Sequence, residues 1–315
     1  MSDDIQIAPM LGDASGGASS AGYHQIEAYL RCPKMYQLKM VRKIRTPLSG
    51  TPAYFAVGAM FHAARAVWFT SGFPAWADCA DPIRAAIAKV EKEYTLPVPE
   101  SAAKDAFRYA QEYVEHYSGR PHPKTVAAEY LLGPAGVGGE DRTARIDDVS
   151  YYSEGGGKLY IGESKTTSTD IGTAVTEYTL HGQPMLQVLL WRAANQGRAQ
   201  YGDVAGVMLD VVQKGYGGKH CQFARVPIEV TEHSLSWYSK ALGEAVRQSK
   251  LVTWDSEVER RITSCSTMIG TRRCPCAYQS LCRFGRDAAL EYVMEDGKRL
   301  TDFEADSERN VMPWE

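Results

Sequence analysis

The stretch from residue 125 to 164 constrains this chain most. Segments 125–132, 143–152 and 158–164 are rich in Val, Ile and Tyr and read as strands. Between the last two, residues 154–158 hold three consecutive glycines, the composition of a tight hairpin turn. Helical patterns bracket this stretch. Residues 54–70, 83–94 and 101–117 come first, punctuated by Pro52, Gly72, Pro74, Pro97 and Pro99. Afterwards come a helix from about 177 to 195, a strand at 204–213, a Gly-rich turn and a strand at 221–230. A helix at 231–250 follows, opened by Thr231 as its cap. Three strands, a helix and two further strands predict an α/β chain: a central mixed sheet flanked by helices.

The two ends read differently. Residues 1–22 are rich in Gly, Ser and Ala and are expected to be a disordered leader, with an acidic tail at 291–315. Between residues 25 and 44, Ile26, Tyr29, Leu30, Tyr36, Met40 and Ile44 recur at helical spacing, and Pro33 splits the pattern into two short helices. Lys34, Lys39, Arg42, Lys43 and Arg45 give this segment a local positive face, and Arg272–Arg273 make a second basic spot. The net charge of −3 excludes a polycation built to coat nucleic acid. No run of eighteen apolar residues exists, so no membrane partner is expected. The first residues carry acids and no Lys or Arg, unlike an export signal, which sets the expectation of a cytoplasmic protein.

Seven cysteines, an odd number in a chain without an export signal, argue for metal ligation or buried thiols over a disulfide framework. Cys79 and Cys221 stand alone and read as buried thiols. Cys274, Cys276 and Cys282 lie within nine residues, Cys265 is slightly upstream, and Cys32 is a distant partner. Zinc sites usually show Cys-x-x-Cys pairs, and none occurs here, so the spacing favours an iron–sulfur cluster over zinc.

The strand region carries the chemistry. Asp147 lies in Ala-Arg-Ile-Asp-Asp-Val, and after fifteen intervening residues comes Glu163-Ser-Lys165. Residues two apart on a strand share a face, so Glu163 and Lys165 project together. A hairpin through the glycine turn brings Asp147 near them. Converging carboxylates repel unless a cation neutralises them, and oxygen ligands suit Mg²⁺ or Mn²⁺. A lysine beside such an ion helps to activate water or steady a phosphoryl transition state. A surface strand with alternating charges would carry Glu-x-Lys by chance, so the Ile-Asp partner is what gives the pattern weight. Glu129, on the preceding strand, adds a further carboxylate, whereas Asp148 should point away from Asp147.

In order along the chain, six segments resemble the PD-(D/E)XK nucleases of the RecB-like iron–sulfur branch: the Ile26–Tyr36 stretch with Cys32-Pro33, Gly58-Ala-Met-Phe-His62, Glu129, Ile146-Asp147 with Glu163-Ser-Lys165, Gln187-Val-Leu-Leu-Trp191, and Cys276-x5-Cys282. That branch includes the AddB nuclease domain, CRISPR-associated RecB-like exonucleases and phage exonucleases. Trp191 stands where the family has Tyr, and the cysteine spacing departs from the family at Cys274. The resemblance implies a restriction-endonuclease-like core in a single nuclease domain over 23–290. It would have a helical insertion at about 54–120, a catalytic core at about 124–250, and a cysteine segment at about 260–285 that closes onto Cys32.

It further implies a metal-dependent deoxyribonuclease acting exonucleolytically on single-stranded or duplex ends. His62, Asp147, Glu163 and Glu129 would be the ligands for Mg²⁺ or Mn²⁺, with Lys165 and Gln187 in catalysis. A structural [4Fe-4S] cluster would sit on Cys32, Cys276, Cys282 and either Cys265 or Cys274. Lys34, Lys39, Arg42, Lys43, Gln183 and Trp191 would meet DNA, and a protein partner would belong to a recombination or CRISPR complex. The competing expectations are a DNA- or partner-binding factor that keeps the fold without catalysis, and a zinc-stapled structural protein.

Overall fold

A computed structural model describes residues 23–45, 52–179, 181–194, 196–215, 219–254, 256–258, 266–269, 272–278, 281–282 and 292–294. Its described residues fall into two compact units, one within 49–238 and the other within 20–48 and 239–315.

The first unit opens with three eighteen-residue helices, α3 (Ala53–Thr70), α4 (Trp76–Glu93) and α5 (Glu100–Tyr117). The numbering leaves α1, α2 and β1 to the second unit. Their apolar faces share one core in which Trp68, Phe61, Ile83 and Tyr113 are buried together with Val212 of the sheet. α4 starts earlier than expected and runs through Pro82. A proline ring cannot accept this geometry without losing one backbone bond. Burial of Cys79, Ile83 and Ile87 on the same side of the helix opposes that loss.

The sheet follows as β2 (Lys124–Val137), β3 (Glu140–Tyr152), β4 (Lys158–Thr167), β5 (Gly206–Gln213) and β6 (Gln222–Glu229), in that spatial order. Only β4 and β5 are parallel; the other neighbours are antiparallel, so the sheet is mixed, as expected. The hairpin turn falls where the glycines predicted it. Gly156 and Gly157 adopt φ of 70° and 74°, which residues with a Cβ rarely tolerate. β2 and β3 are longer than the sequence suggested. Gly133 and Pro134 read as breakers, yet the ladder absorbs them in a register shift between Leu132 and Ala135 and continues to Val137.

The crossover from β4 to β5 is not one helix but α6 (Ile171–Thr179), α7 (Gly182–Ala194) and the short α8 (Gln196–Tyr201). Gly182 and Pro184 explain the break, since proline is tolerated only in a helix's first turn. α9 (Glu232–Ser249) begins at the predicted cap: the Ser234 N–H donates to Thr231 Oγ1 at 3.2 Å.

The second unit holds both ends of the described chain. α1 (Tyr23–Arg31) and α2 (Pro33–Tyr36) are separated as Pro33 predicted, with the proline at the first position of α2. β1 (Ile44–Arg45) pairs antiparallel with β9 (Val293–Met294). β7 (Ser266–Ile269) and β8 (Arg272–Pro275) form a hairpin that the irregular cysteine segment gave no sign of. The Tyr278 hydroxyl donates to the Ile44 carbonyl at 2.7 Å. Gln37 Nε2 donates to the Thr253 and Ser256 carbonyls, each at 2.8 Å. Among the described residues no helix is long and apolar enough to cross a membrane.

Candidate active site

Alternation along the strands sorts the polar residues of the sheet onto two faces. The β3–β4 ladder ends at the pair Asp148–Gly162. Just past it, the Ser164 N–H donates to Asp147 Oδ2 at 2.6 Å. The other oxygen, Oδ1, lies 3.0 Å from His62 Nδ1 on α3. Glu163 and Lys165 point together, as their spacing predicted, and the Lys165 ammonium donates to Glu163 Oε1. Gln183 and Gln187, one turn apart on α7, complete the shell: Gln183 Nε2 donates to Oε1 at 2.9 Å and Gln187 Nε2 to Oε2 at 2.7 Å. A buried carboxylate with this many donors is held in one orientation.

Charge and burial oppose each other at this site. Burial alone would raise the Asp147 carboxyl, but the charge and hydrogen bond of His62, the Arg65 guanidinium and the Ser164 N–H outweigh it and hold Asp147 well below the usual carboxylate range. Burial alone would lower His62, and the adjacent Asp147 and Glu163 charges win, leaving it raised. Glu129 is pushed up to about 7 by burial and by the neighbouring Asp147 charge. It also stands in left-handed backbone, φ 48°, in the middle of β2. A non-glycine residue there is strained, and such strain gathers at functional sites.

These residues suit a hard divalent cation by their chemistry: one imidazole and three carboxylates, one of them raised by burial and the Asp147 charge. The buried Gln187 Oε1 has no hydrogen-bond partner, a polar atom still to be satisfied beside Glu163. As they stand, no three His, Cys, Asp or Glu side chains among the described residues converge on a point that holds one ion.

The opposite face carries a network that the sequence reading missed. Asp148 is fully buried, and its oxygens accept from Arg65 at 2.8 Å, Ser150 at 2.6 Å and Tyr152 at 2.7 Å. Asp210 of β5 accepts from Arg65 and Arg225, each at 3.3 Å, and from the Tyr113 hydroxyl. Gly162 makes room for this: a Cβ there would come within 2.0 Å of Asp148 Oδ1. Two signals were available in the sequence. Arg65 follows His62 by three residues on an apolar helix, and Asp210 interrupts the apolar run Val-Met-Leu-Asp-Val-Val.

The residues expected to meet DNA separate into two groups. Lys34 and Arg42 do not form an open positive face. Lys34 is 5% exposed and donates to Gln37 Oε1, and Arg42 is 2% exposed with its guanidinium on the Trp254 carbonyl. Trp191 is also buried, its indole N–H donating to the Gly202 carbonyl at 3.1 Å, so it packs the helix instead of contacting a ligand. Lys39 and Lys43 are exposed, and Gln183 is turned onto Glu163.

Cys32 is buried, while Cys276 and Cys282 pack against the cluster of Leu38, Ile44, Tyr278, Leu281 and Tyr292 in the second unit. Cys274 is a backbone position of β8 opposite Thr267, and Cys265 lies outside the described residues. Cys79 and Cys221 are buried elsewhere, in the helical core of the first unit.

A search of curated proteins finds no match. A family model, that of the PD-(D/E)XK nuclease superfamily, matches residues 21–283 and so covers the whole sheet together with His62, Asp147, Glu163 and Lys165. The mixed five-stranded sheet flanked by helices is the restriction-endonuclease-like architecture of that superfamily, and this chain belongs to it.

Proposed function

We propose that the chain is a metal-dependent deoxyribonuclease that degrades DNA from an end. One observation carries this reading: a helix, two strands and a second helix bring His62 onto Asp147 and bring Lys165 and Gln187 onto Glu163, the Ser164 N–H next to Glu163 joins the two groups at Asp147, and the order in the sequence is that of the resemblance. His62, Asp147 and Glu163, with Glu129 beside them, would hold one or two Mg²⁺ or Mn²⁺. Such an ion supplies charge stabilisation on phosphate oxygens and lowers the pKa of an attacking water.

The protein's own groups do the rest. Gln183 and Gln187 fix the Glu163 carboxylate, and the Ser164 N–H with His62 fixes Asp147. The Lys165 side chain is 40% exposed, the most open of the group, which suits a residue that meets an incoming water or phosphate. The test is incubation of end-labelled single-stranded and duplex DNA, and of internally labelled circular DNA, with the full chain and Mn²⁺. Cleavage of linear but not circular DNA supports the reading. Cleavage of circles would replace the end-directed part of it.

The same reading includes a [4Fe-4S] cluster on Cys32, Cys276, Cys282 and one of Cys265 and Cys274, acting as a structural staple. Its support is the packing in the second unit, where residues from both ends of the chain share one apolar cluster beside Cys276 and Cys282.

A further inference from the structure

α3 begins with two aromatic side chains that the fold leaves in water. Tyr54 and Phe55 are 62% and 60% exposed, and their rings lie 4.5 Å apart at a tilt of 32°. The rest of the helix is ordered by burial: Ala56, Val57, Met60, Phe61 and Ala64 all face the core. The pair is therefore not a frayed end. The Tyr94 hydroxyl also donates to the Phe55 carbonyl at 3.5 Å, which ties the first turn to the end of α4.

The position of the pair is what points to a ligand. Phe55 precedes His62 by seven residues, two helical turns, so both project from nearly the same side of α3. The rise between them is about 10 Å. That is about three nucleotides at the B-form spacing, and fewer in an extended strand. Gly58, between them, presents no side chain, and even a Cβ there would meet only Thr166 Oγ1 at 3.7 Å. The path from the aromatic pair to His62 is thus low and unobstructed by α3 itself. A second observation agrees. Among the described residues no side chain caps the start of α3, and its first turn carries no acid. The positive end of an eighteen-residue dipole faces the same region and favours a phosphate.

We propose that Tyr54 and Phe55 form a stacking platform for unpaired bases of a single-stranded DNA substrate, a short distance along the strand from the scissile phosphate. This deepens the nuclease reading and rests on it for the location of that phosphate. Stacking is sequence-tolerant because every base has a π-face, so the platform would select single-stranded over duplex DNA without selecting sequence.

The experiment uses the full chain in two backgrounds. In the Glu163→Gln background, affinity for a single-stranded oligonucleotide is read by anisotropy with Mn²⁺, for the parent, the Tyr54→Ala/Phe55→Ala pair and the Tyr54→Trp/Phe55→Trp pair. An oligonucleotide with consecutive abasic sites is run beside it. The alanine pair should lose about tenfold or more in affinity, the tryptophan pair should retain it, and the difference should vanish on abasic DNA. In the otherwise native chain, the alanine pair should cleave a small phosphodiester, bis-(p-nitrophenyl) phosphate, at the parent's rate, because that substrate cannot reach the platform.

Unchanged affinity, or an equal loss on abasic DNA, would overturn the platform. So would an alanine pair that runs as a monomer where the parent is an oligomer, since the aromatics would then be a self-association surface. A native chain that cleaves neither substrate would sink the nuclease reading alone, and the binding arms would still decide the platform.

Discussion

Glu129 shows what a single charge does here. Its carboxyl, ordinarily near 4.5, is pushed up to about 7, so the folded protein binds that proton more tightly than the unfolded chain does. The penalty is absent below about 4.5, grows as the pH rises, and is complete above about 7. Glu129→Gln should therefore stabilise the metal-free protein at pH 8 by ~1–3 kcal/mol and have no effect at pH 4, as read by thermal melts. Because His62 is raised as well, both groups would have to release protons to ligate an ion in the proposed metal site. Mn²⁺ affinity, measured by calorimetry, should climb between pH 6 and 8. A flat profile would contradict the roles of both.

That Glu163 and Lys165 share a face was legible in the sequence from strand alternation, and the glycine turn is the signal that brings Asp147 near them. Gly162 was not legible, because its importance lies in a buried neighbour from another strand. Gly162→Ala should cost more than about 3 kcal/mol, since nothing beside the Asp148 carboxylate can move away without breaking ion pairs. Near-native melting would contradict the packing described.

At the scale of elements, helices and strands were legible where periodicity is strong and local, as in α3, α5, β5 and α9. The misses share a cause. Pro82 inside α4 and Gly133–Pro134 inside β2 are breakers by local rules, and burial in the helical core and the sheet overrides them. The Arg65 network is the clearest non-local case: α3, three strands and a turn of α5 meet around two carboxylates that no short motif connects. Arg65→Ala would leave Asp148 buried without its ion-pair partner and Asp210 with Arg225 alone, and a loss of ~3–5 kcal/mol is expected in denaturant melts. Arg65→Lys should recover only part of it, because an ammonium cannot span both carboxylates as a guanidinium does. Full recovery would show that charge alone, not the forked geometry, holds the network.

For the whole molecule, the second unit draws together residues from near the two ends of the chain, through the β1–β9 pair and the cluster around Tyr278. The proposed cluster would reinforce that closure. Protein purified without oxygen should contain about four irons and sulfides per chain and absorb near 400 nm. Cys282→Ser should lose both and melt at a lower temperature. Stoichiometric zinc without iron would replace the iron–sulfur assignment with a zinc staple.

The claim on which the rest depends is that the Asp147–Glu163–Lys165 site cuts DNA with a bound divalent ion. The direct measurement is cleavage of end-labelled DNA in Mn²⁺ by the native chain, Glu163→Gln and Lys165→Ala, with binding of the same DNA recorded in parallel. The account predicts cleavage by the native chain, abolished by EDTA, and a loss of at least about a thousandfold in both variants with DNA still bound. Cleavage by either variant at the native rate would contradict it.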